Sequence, residues 1–288
     1  MKPYRIPQLA KSYTDYDMIQ RHTELPPFPD ARGSLLYIFL NHGAARQPGA
    51  ELYTLVTGLV QLGLDTHESI DLPAGAPGED SMRPRQLRVL AGDYFSSWFY
   101  HLLAKSGEIG VIGTLSSAIA DFNVLKARLY SKAKELRLTA EGYLQDVVQL
   151  NMRLFRAFTP LIDHRLTDAW EKLLYEFSRF ETVALELKRG AAPAEALDGY
   201  CYWHLLEAGS EDERRQLRER KLEPPDWKKL KMKYKCDSLL TDKLHQAAES
   251  IQGIIQELRD ESLIRELRAA LDRFLLQAKI TGQAAGEA

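Results

Sequence analysis

Apolar residues recur along this chain at three- and four-residue intervals nearly everywhere, and strict alternation is almost absent. Such spacing lays an apolar stripe along one side of each of a series of helices and leaves little for strands. Breakers interrupt the stripes at Leu25-Pro26-Pro27-Phe28-Pro29 and at Pro73-Ala74-Gly75-Ala76-Pro77-Gly78. Others stand at Gly107, at Pro160, from Gly190 to Pro193, and at Pro224-Pro225. Between these stops the pattern predicts helices near 8–22, 33–44, 49–71, 85–105, 108–135 and 140–158. Further helices are predicted near 161–188, 194–208, 210–221, 227–257 and 260–280. The expected fold class is all-α, without a fixed-period repeat. Residues 1–30 are expected to form an N-terminal arm or helix, 31–282 a single helical domain, and 283–288 a flexible tail.

The segment 85–105, RQLRVLAGDYFSSWFYHLLAK, carries more apolar surface than one stripe needs. Leu87, Leu90, Ala91, Tyr94, Trp98 and Leu102 follow helical spacing along one face, and Phe95, Phe99 and Leu103 make a second. A helix apolar nearly all round is either central to a large core or caught between a core and a partner. The next segment has the same character through Val111, Ile112, Leu115, Ile119, Phe122 and Leu125. Two such neighbours in one modest chain point to a buried subunit interface.

Composition narrows the class. Apolar residues make up 45% and charged residues 27% of the 288, as in ordinary soluble globular proteins. A net charge of -2 argues against a dedicated nucleic-acid binder, which needs a concentrated basic surface. The two cysteines, Cys201 and Cys236, are too few for a disulfide framework or a zinc site and read as reduced thiols. The longest uncharged apolar runs, around Ser34–Ala45 and Tyr53–Leu64, fall short of the roughly 20 residues of a spanning helix. The N-terminal stretch has no apolar signal core. The expectation is a cytoplasmic protein without a transmembrane segment.

Three polar groupings carry candidate chemistry. His67, Glu68 and Asp71 stand at i, i+1 and i+4, so His67 and Asp71 share a helix face with Glu68 beside them. They form either a metal-binding cluster, working or degenerate, or a polar helix end that meets solvent. Asp93 follows Gly92 inside an apolar stretch, where an unpaired carboxylate is expensive to bury. It pairs with one of Arg83, Arg85 or Arg88, or it serves a cleft. The stretch Trp227-Lys228-Lys229-Leu230-Lys231-Met232-Lys233-Tyr234-Lys235 is either a solvated helix face or a contact for anionic lipid or a diphosphate. His101 and His204 sit among apolar neighbours and read as hydrogen-bonded core or rim residues. Asp163-His164 has no partner histidines at helpful spacing.

The combination LDTHESID…RQLRVLAGDYFSSWFYHLLA resembles the trans-isoprenyl diphosphate synthases. In that all-helical family an apolar helix ends in Asp-Asp-x-x-Asp, a loop with paired arginines follows, and a Leu-x-Gly-Asp-type signature opens the next helix. Val89-Leu90-Ala91-Gly92-Asp93-Tyr94 matches the signature, and His67-Glu68-Ser69-Ile70-Asp71 falls where the first aspartate-rich motif belongs. Only Asp71 of that motif is retained. The second Asp-Asp-x-x-Asp is missing, since Glu79-Asp80 leads to Arg83, Glu211-Asp212 to Arg215 and Asp260-Glu261 to Ile264. Mg²⁺ is a hard cation that wants carboxylate and phosphate oxygens. One aspartate, one glutamate and an imidazole are too few to assemble the cluster that ionises an allylic diphosphate.

With GTLSSAIADFNVLKARLY added, the sequence is similar to component 1, the small subunit, of bacterial heptaprenyl diphosphate synthases. The resemblance implies an isoprenoid-synthase-like helical bundle and a division of labour. A catalytic large subunit would hold both aspartate-rich motifs and Mg²⁺, and would condense isopentenyl diphosphate onto farnesyl diphosphate for the menaquinone side chain. This chain would bind no cofactor itself, would contribute to product length, and would make at most peripheral membrane contact. His67, Glu68 and Asp71 would be a degenerate motif, and Arg83, Arg85, Arg88 and Asp93 candidate contacts to diphosphate or partner. Tyr94, Phe95, Trp98, Phe99, Leu102, Leu115, Ile119 and Phe122 would face the partner. The rival readings are a stand-alone class I terpenoid enzyme with altered metal ligands, and a helical interaction protein unrelated to prenyl chemistry.

Overall fold

The computed structural model describes residues 3–22, 24–43, 47–68, 79–189, 198–220 and 222–286. Among these every regular element is helical. The chain divides into two compact units, one of Met1–Ile119 with Leu154–Thr167, the other of Ala120–Arg153 with Asp168–Ala288.

In the first unit the chain runs through α1 (Ile6–Thr14), α2 (Asp17–His22), α3 (Asp30–Asn41), α4 (Ala50–Glu68), α5 (Glu79–Lys105) and the first half of α6 (Ile109–Lys134). The helices buried all round are α3 and α4, the two longest uncharged runs of the sequence. Every residue from Ala31 to Leu40 and from Tyr53 to Gly63 is buried. Hydroxyls inside α4 are satisfied by the helix itself: Thr54, Thr57 and Thr66 each donate to the carbonyl four residues back. Buried polar side chains of this kind cost little because no donor is left unpaired.

The predicted helix 8–22 is two helices, broken at Asp15, whose backbone N–H closes α1 on the Lys11 carbonyl. The break lets the N-terminal segment wrap the core. Ile6 and Ala10 are buried, the Tyr4 hydroxyl donates to Asp30 Oδ1 at 2.6 Å, and the Arg5 guanidinium grips the Glu51 carboxylate through two hydrogen bonds. Further along, Tyr13 meets Trp98 edge-on at 4.9 Å between ring centroids and Tyr16 meets Tyr94 at 5.7 Å.

The second unit holds the rest of α6, α7 (Ala140–Arg156) apart from its last residues, α8 (Thr167–Arg189), α9 (Tyr200–Ala208), α10 (Glu211–Arg218), α11 (Pro224–Lys233), α12 (Cys236–Gln256) and α13 (Glu261–Gly286). Its polar anchor is Glu186. That buried carboxylate accepts the Tyr143 hydroxyl at 2.9 Å and the Tyr200 backbone N–H at 2.7 Å, so one side chain ties α7, α8 and the positive end of α9. The predicted helix 161–188 starts only at Thr167. Pro160 lies in a 3₁₀ turn, and Asp163 holds the Arg165 backbone and guanidinium in the next turn. The predicted helix 227–257 is likewise interrupted, because Lys235 adopts a left-handed φ of 54° between α11 and α12.

In the first unit the backbones of α4 and α5 approach each other closely. A Cβ at Gly63 would stand 2.8 Å from the Gly92 carbonyl oxygen and 3.1 Å from the Ser96 backbone nitrogen. Glycine-to-alanine inside a helix ordinarily gains up to about 1 kcal/mol. Here the obstacle is backbone that cannot swing aside, so Gly63→Ala is expected to destabilise the fold by about 1–3 kcal/mol. Urea unfolding of the variant beside the parent chain reads the sign directly.

Candidate functional site

The glycine contact places the end of α4 against the LAGD signature of α5. The His67 imidazole lies over Gly92, where a Cβ would come within 2.7 Å of His67 Nε2. From there Nε2 reaches Asp93 Oδ1 at 3.3 Å. One turn back, Gln61 Nε2 donates to Asp65 Oδ1 at 2.8 Å inside the α4 end. Glu68 is exposed, and Asp71 lies outside the described residues.

Asp93 therefore departs from expectation in two ways. Its side chain is 67% exposed, so no buried charge needs neutralising, and the described partner is His67 rather than one of the arginines. Helix geometry explains this: Gly92 points into α4, which turns the neighbouring carboxylate outward along the helix surface toward the imidazole. Arg83 is exposed, and Arg85 and Arg88 are half-buried on the first turns of the same helix. Among the described residues no group of three or more His, Cys, Asp and Glu side chains converges as a cation site. The donor set at the α4 end does not suit Mg²⁺, since its leading position presents an imidazole already engaged by a carboxylate.

The eight residues assigned to a partner face separate in the structure. Phe95, Leu115 and Phe122 are buried within the chain. Phe95 packs with Leu62 and Ala91, and Ile19, Leu25, Phe28 and Tyr94 close around them. Tyr94 and Trp98 are half-buried because Tyr16 and Tyr13 lie on them. The aromatic side of α5 is thus covered largely by the chain's own N-terminal segment, a contact that helical periodicity within α5 cannot reveal. Phe99, Leu102 and Ile119 are partly accessible.

Uncovered apolar side chains lie on α5 (Val89, Leu90 and Tyr100) and along α6. Ile109, Val124 and Tyr130 are exposed, and Cβ atoms at Gly110 and Gly113 would meet nothing within 4 Å. An 18-residue window of α6 reaches a mean hydropathy of 1.2, yet only 22% of it is buried within the chain. By length and composition this helix alone among the described residues could cross a membrane, which corrects the sequence expectation that no segment could. The ion pair of Asp121 with Arg153 of α7 argues for a different use, because a charge in mid-helix is costly in lipid.

Comparison with known proteins fixes the family. The profile of heptaprenyl diphosphate synthase (HEPPP synthase) subunit 1 matches residues 16–196. The chain belongs to that family. A curated relative, heptaprenyl diphosphate synthase component 1 of Geobacillus stearothermophilus, is 33% identical over 145 residues. That match spans 50% of this chain and 61% of the relative. Among solved structures, a decaprenyl diphosphate synthase from Rhodobacter capsulatus superimposes with a TM-score of 0.65 over 95% of both chains, at 13% identity. The heptaprenyl diphosphate synthase of Staphylococcus aureus gives 0.64 over 95% of this chain and 92% of that one, at 10% identity. At such identities these two establish the helical synthase fold and nothing of the chemistry.

Outside the α4–α5 site, the basic stretch 227–235 is largely neutralised by its own surroundings. Lys229 pairs with Asp226, Lys231 with Asp237 and Lys233 with Glu213, while Trp227 is buried. Met232, 73% exposed, is its one bare apolar side chain. His204 Nε2 donates to the Tyr234 carbonyl oxygen, 3.2 Å away, as a hydrogen-bonded rim residue. Glu213 accepts from Lys233 Nζ, the Tyr234 hydroxyl and the Ser210 backbone N–H, and these hold its carboxyl down at about 2. A lowered carboxyl stabilises the fold fully above its unfolded value of about 4.3, and that contribution fades as pH falls toward the folded value. The parent chain is expected to melt above Glu213→Gln at pH 7, with the gap narrowing below about pH 4. Thermal melts of both proteins across that range provide the check.

Proposed function

We propose that this chain is the non-catalytic small subunit of a heterodimeric heptaprenyl diphosphate synthase, a cytoplasmic prenyltransferase. The catalytic large subunit holds Mg²⁺ and elongates farnesyl diphosphate with isopentenyl diphosphate for the menaquinone side chain, and this chain helps set the product length. The carrying observation is the α4–α5 site. It keeps the fold's juxtaposition of motif and signature, but uses the leading motif position for a His67–Asp93 pair over Gly92. Membership in the subunit 1 family supports the assignment.

A chemistry-poor site leaves binding as the contribution of this chain, and α6 offers the surface. Its Ile109 side is apolar, and Gly110 and Gly113 present bare backbone against which another helix can pack closely. Phe99 and Leu102 of α5 extend the same function. Arg83, Arg85 and Arg88 remain candidates for contact with a diphosphate or with the partner. In this reading Tyr94 and Trp98 serve the chain's own fold first.

The test is reconstitution. The isolated chain is expected to show no turnover of farnesyl diphosphate with or without Mg²⁺, and to give activity only with the large subunit. Steady turnover by the homogeneous chain would establish the stand-alone enzyme instead. Assembly that leaves turnover and product length unchanged would favour a plain interaction protein. Gly113→Leu adds bulk where the chain itself has open space, so it should fold normally and weaken association at least tenfold in a titration of the two subunits, about 1.4 kcal/mol.

The degenerate motif gives a second measurement. A true metal ligand supports several kcal/mol of transition-state stabilisation. Glu68→Gln and Asp71→Asn in the reconstituted pair are expected to keep most of the single-turnover rate, with changes confined to affinity or product length. A loss of about three orders of magnitude, roughly 4 kcal/mol, with assembly intact would place chemistry on this chain.

A further inference from the structure

The charge of this chain is unevenly spread. Residues 214–235 hold ten of its 38 lysines and arginines but three of its 40 aspartates and glutamates. A net charge of +7 therefore sits in a chain of net charge -2, and the remainder carries -9. From Lys228 to Lys235 there are five lysines and no acid. Positive charge gathered on an otherwise acidic chain marks a surface for an anionic partner.

The fold sorts these residues by depth. Trp227 and Leu230 are buried, Lys231 is drawn in against Asp237 at 2.8 Å, and Tyr234 is half-buried with its hydroxyl on Glu213. These four recur at i, i+3, i+4 and i+7 and hold one side of α11 to the second unit. Lys228, Lys229 and Met232 take the other side, and all three are exposed, as is Lys235 just beyond the helix. Among the described residues Met232 is the most exposed large apolar side chain, at 73%. Lys228 and Lys229 stand one turn before it. Lys228 and Lys235 pair with no carboxylate among the described residues. Lys229 pairs with Asp226, but both side chains are more than half exposed, and such a pair yields readily to another anion.

We propose that α11 docks this chain on an anionic phospholipid bilayer, with Met232 at the acyl boundary and Lys228, Lys229 and Lys235 on lipid phosphates. A single projecting apolar side chain among lysines offers little to a folded protein, whose interface core is a continuous apolar patch depleted of charge. It suits a headgroup layer. Lysine stems lie along the boundary with their ammonium groups at phosphate level, and an unbranched thioether reaches the first methylenes. Each lysine held near an anionic surface adds to the binding, and several together make it stable. The contact needs neither α6 nor a large subunit, so it stands or falls apart from the synthase reading. Joined to that reading, it keeps the enzyme beside a phase that dissolves a long prenyl tail.

The experiment mixes the full chain with sucrose-loaded vesicles of phosphatidylcholine alone, or of phosphatidylcholine and phosphatidylglycerol in equal parts, and sediments them. The chain is expected to follow the anionic vesicles only, and to be released in about 1 M salt, where the screening length falls to about 3 Å. Lys228→Glu combined with Lys235→Glu should lower the partition coefficient roughly tenfold or more. Met232→Asp should lower it several-fold while leaving binding to soluble polyglutamate unchanged, which separates a bilayer from any other polyanion. These positions are exposed, so the variants should melt with the parent chain; if the double variant does not fold, Met232→Asp decides. Ile109→Asp on α6 is expected to bind vesicles like the parent. Failure to follow anionic vesicles at low salt would overturn the proposal. So would binding indifferent to Met232→Asp, or binding abolished by Ile109→Asp and kept by the α11 variants, which would move the membrane face to α6.

Discussion

The close approach of α4 to α5 is the constraint on which the first unit depends. Two helices can bring their backbones this near only where one lacks a side chain, and Gly63 supplies that against the Gly92 carbonyl. The same contact sets His67 on Gly92 and turns Asp93 toward the imidazole. Fold geometry and site geometry are therefore one decision. At this crossing the end of α4 meets the middle of α5 through the His67–Asp93 pair. Because both members of that pair are partly exposed, its electrostatic worth is small, and packing carries the arrangement.

Most of the helical content was legible from apolar spacing, since each stripe must find a core. The departures share a cause: each rests on a contact between residues far apart in sequence, or on a single backbone angle. Lys235 breaks a long amphipathic stretch by adopting φ 54°, and Tyr234 secures the break through its hydroxyl on Glu213 and its carbonyl oxygen at His204. Nothing in local propensity marks that lysine. Tyr13 and Tyr16 lie on Trp98 and Tyr94, aromatics that the family resemblance placed toward a partner. A stripe states that a face must be covered and is silent about what covers it.

At the site, the identities of His67, Glu68 and Asp93 and their place in the family pattern were readable, because a motif is local. The His67–Asp93 pairing was not, since the arginines were nearer in sequence and of the expected charge. The basic stretch 227–235 shows the reverse situation. Read alone it is a run of cations; in the fold three of its lysines face acids from α10, α11 and α12 and much of its charge is already answered.

The long bare flank of α6 has a consequence for how such a chain is made. A ribosome that releases it without a mate delivers a helix whose apolar window is mostly wet, and quality-control proteases recognise that kind of surface. On the reading that a companion subunit covers this flank, supply of that companion would govern how much of the chain persists, and surplus copies would be the ones that quality control removes.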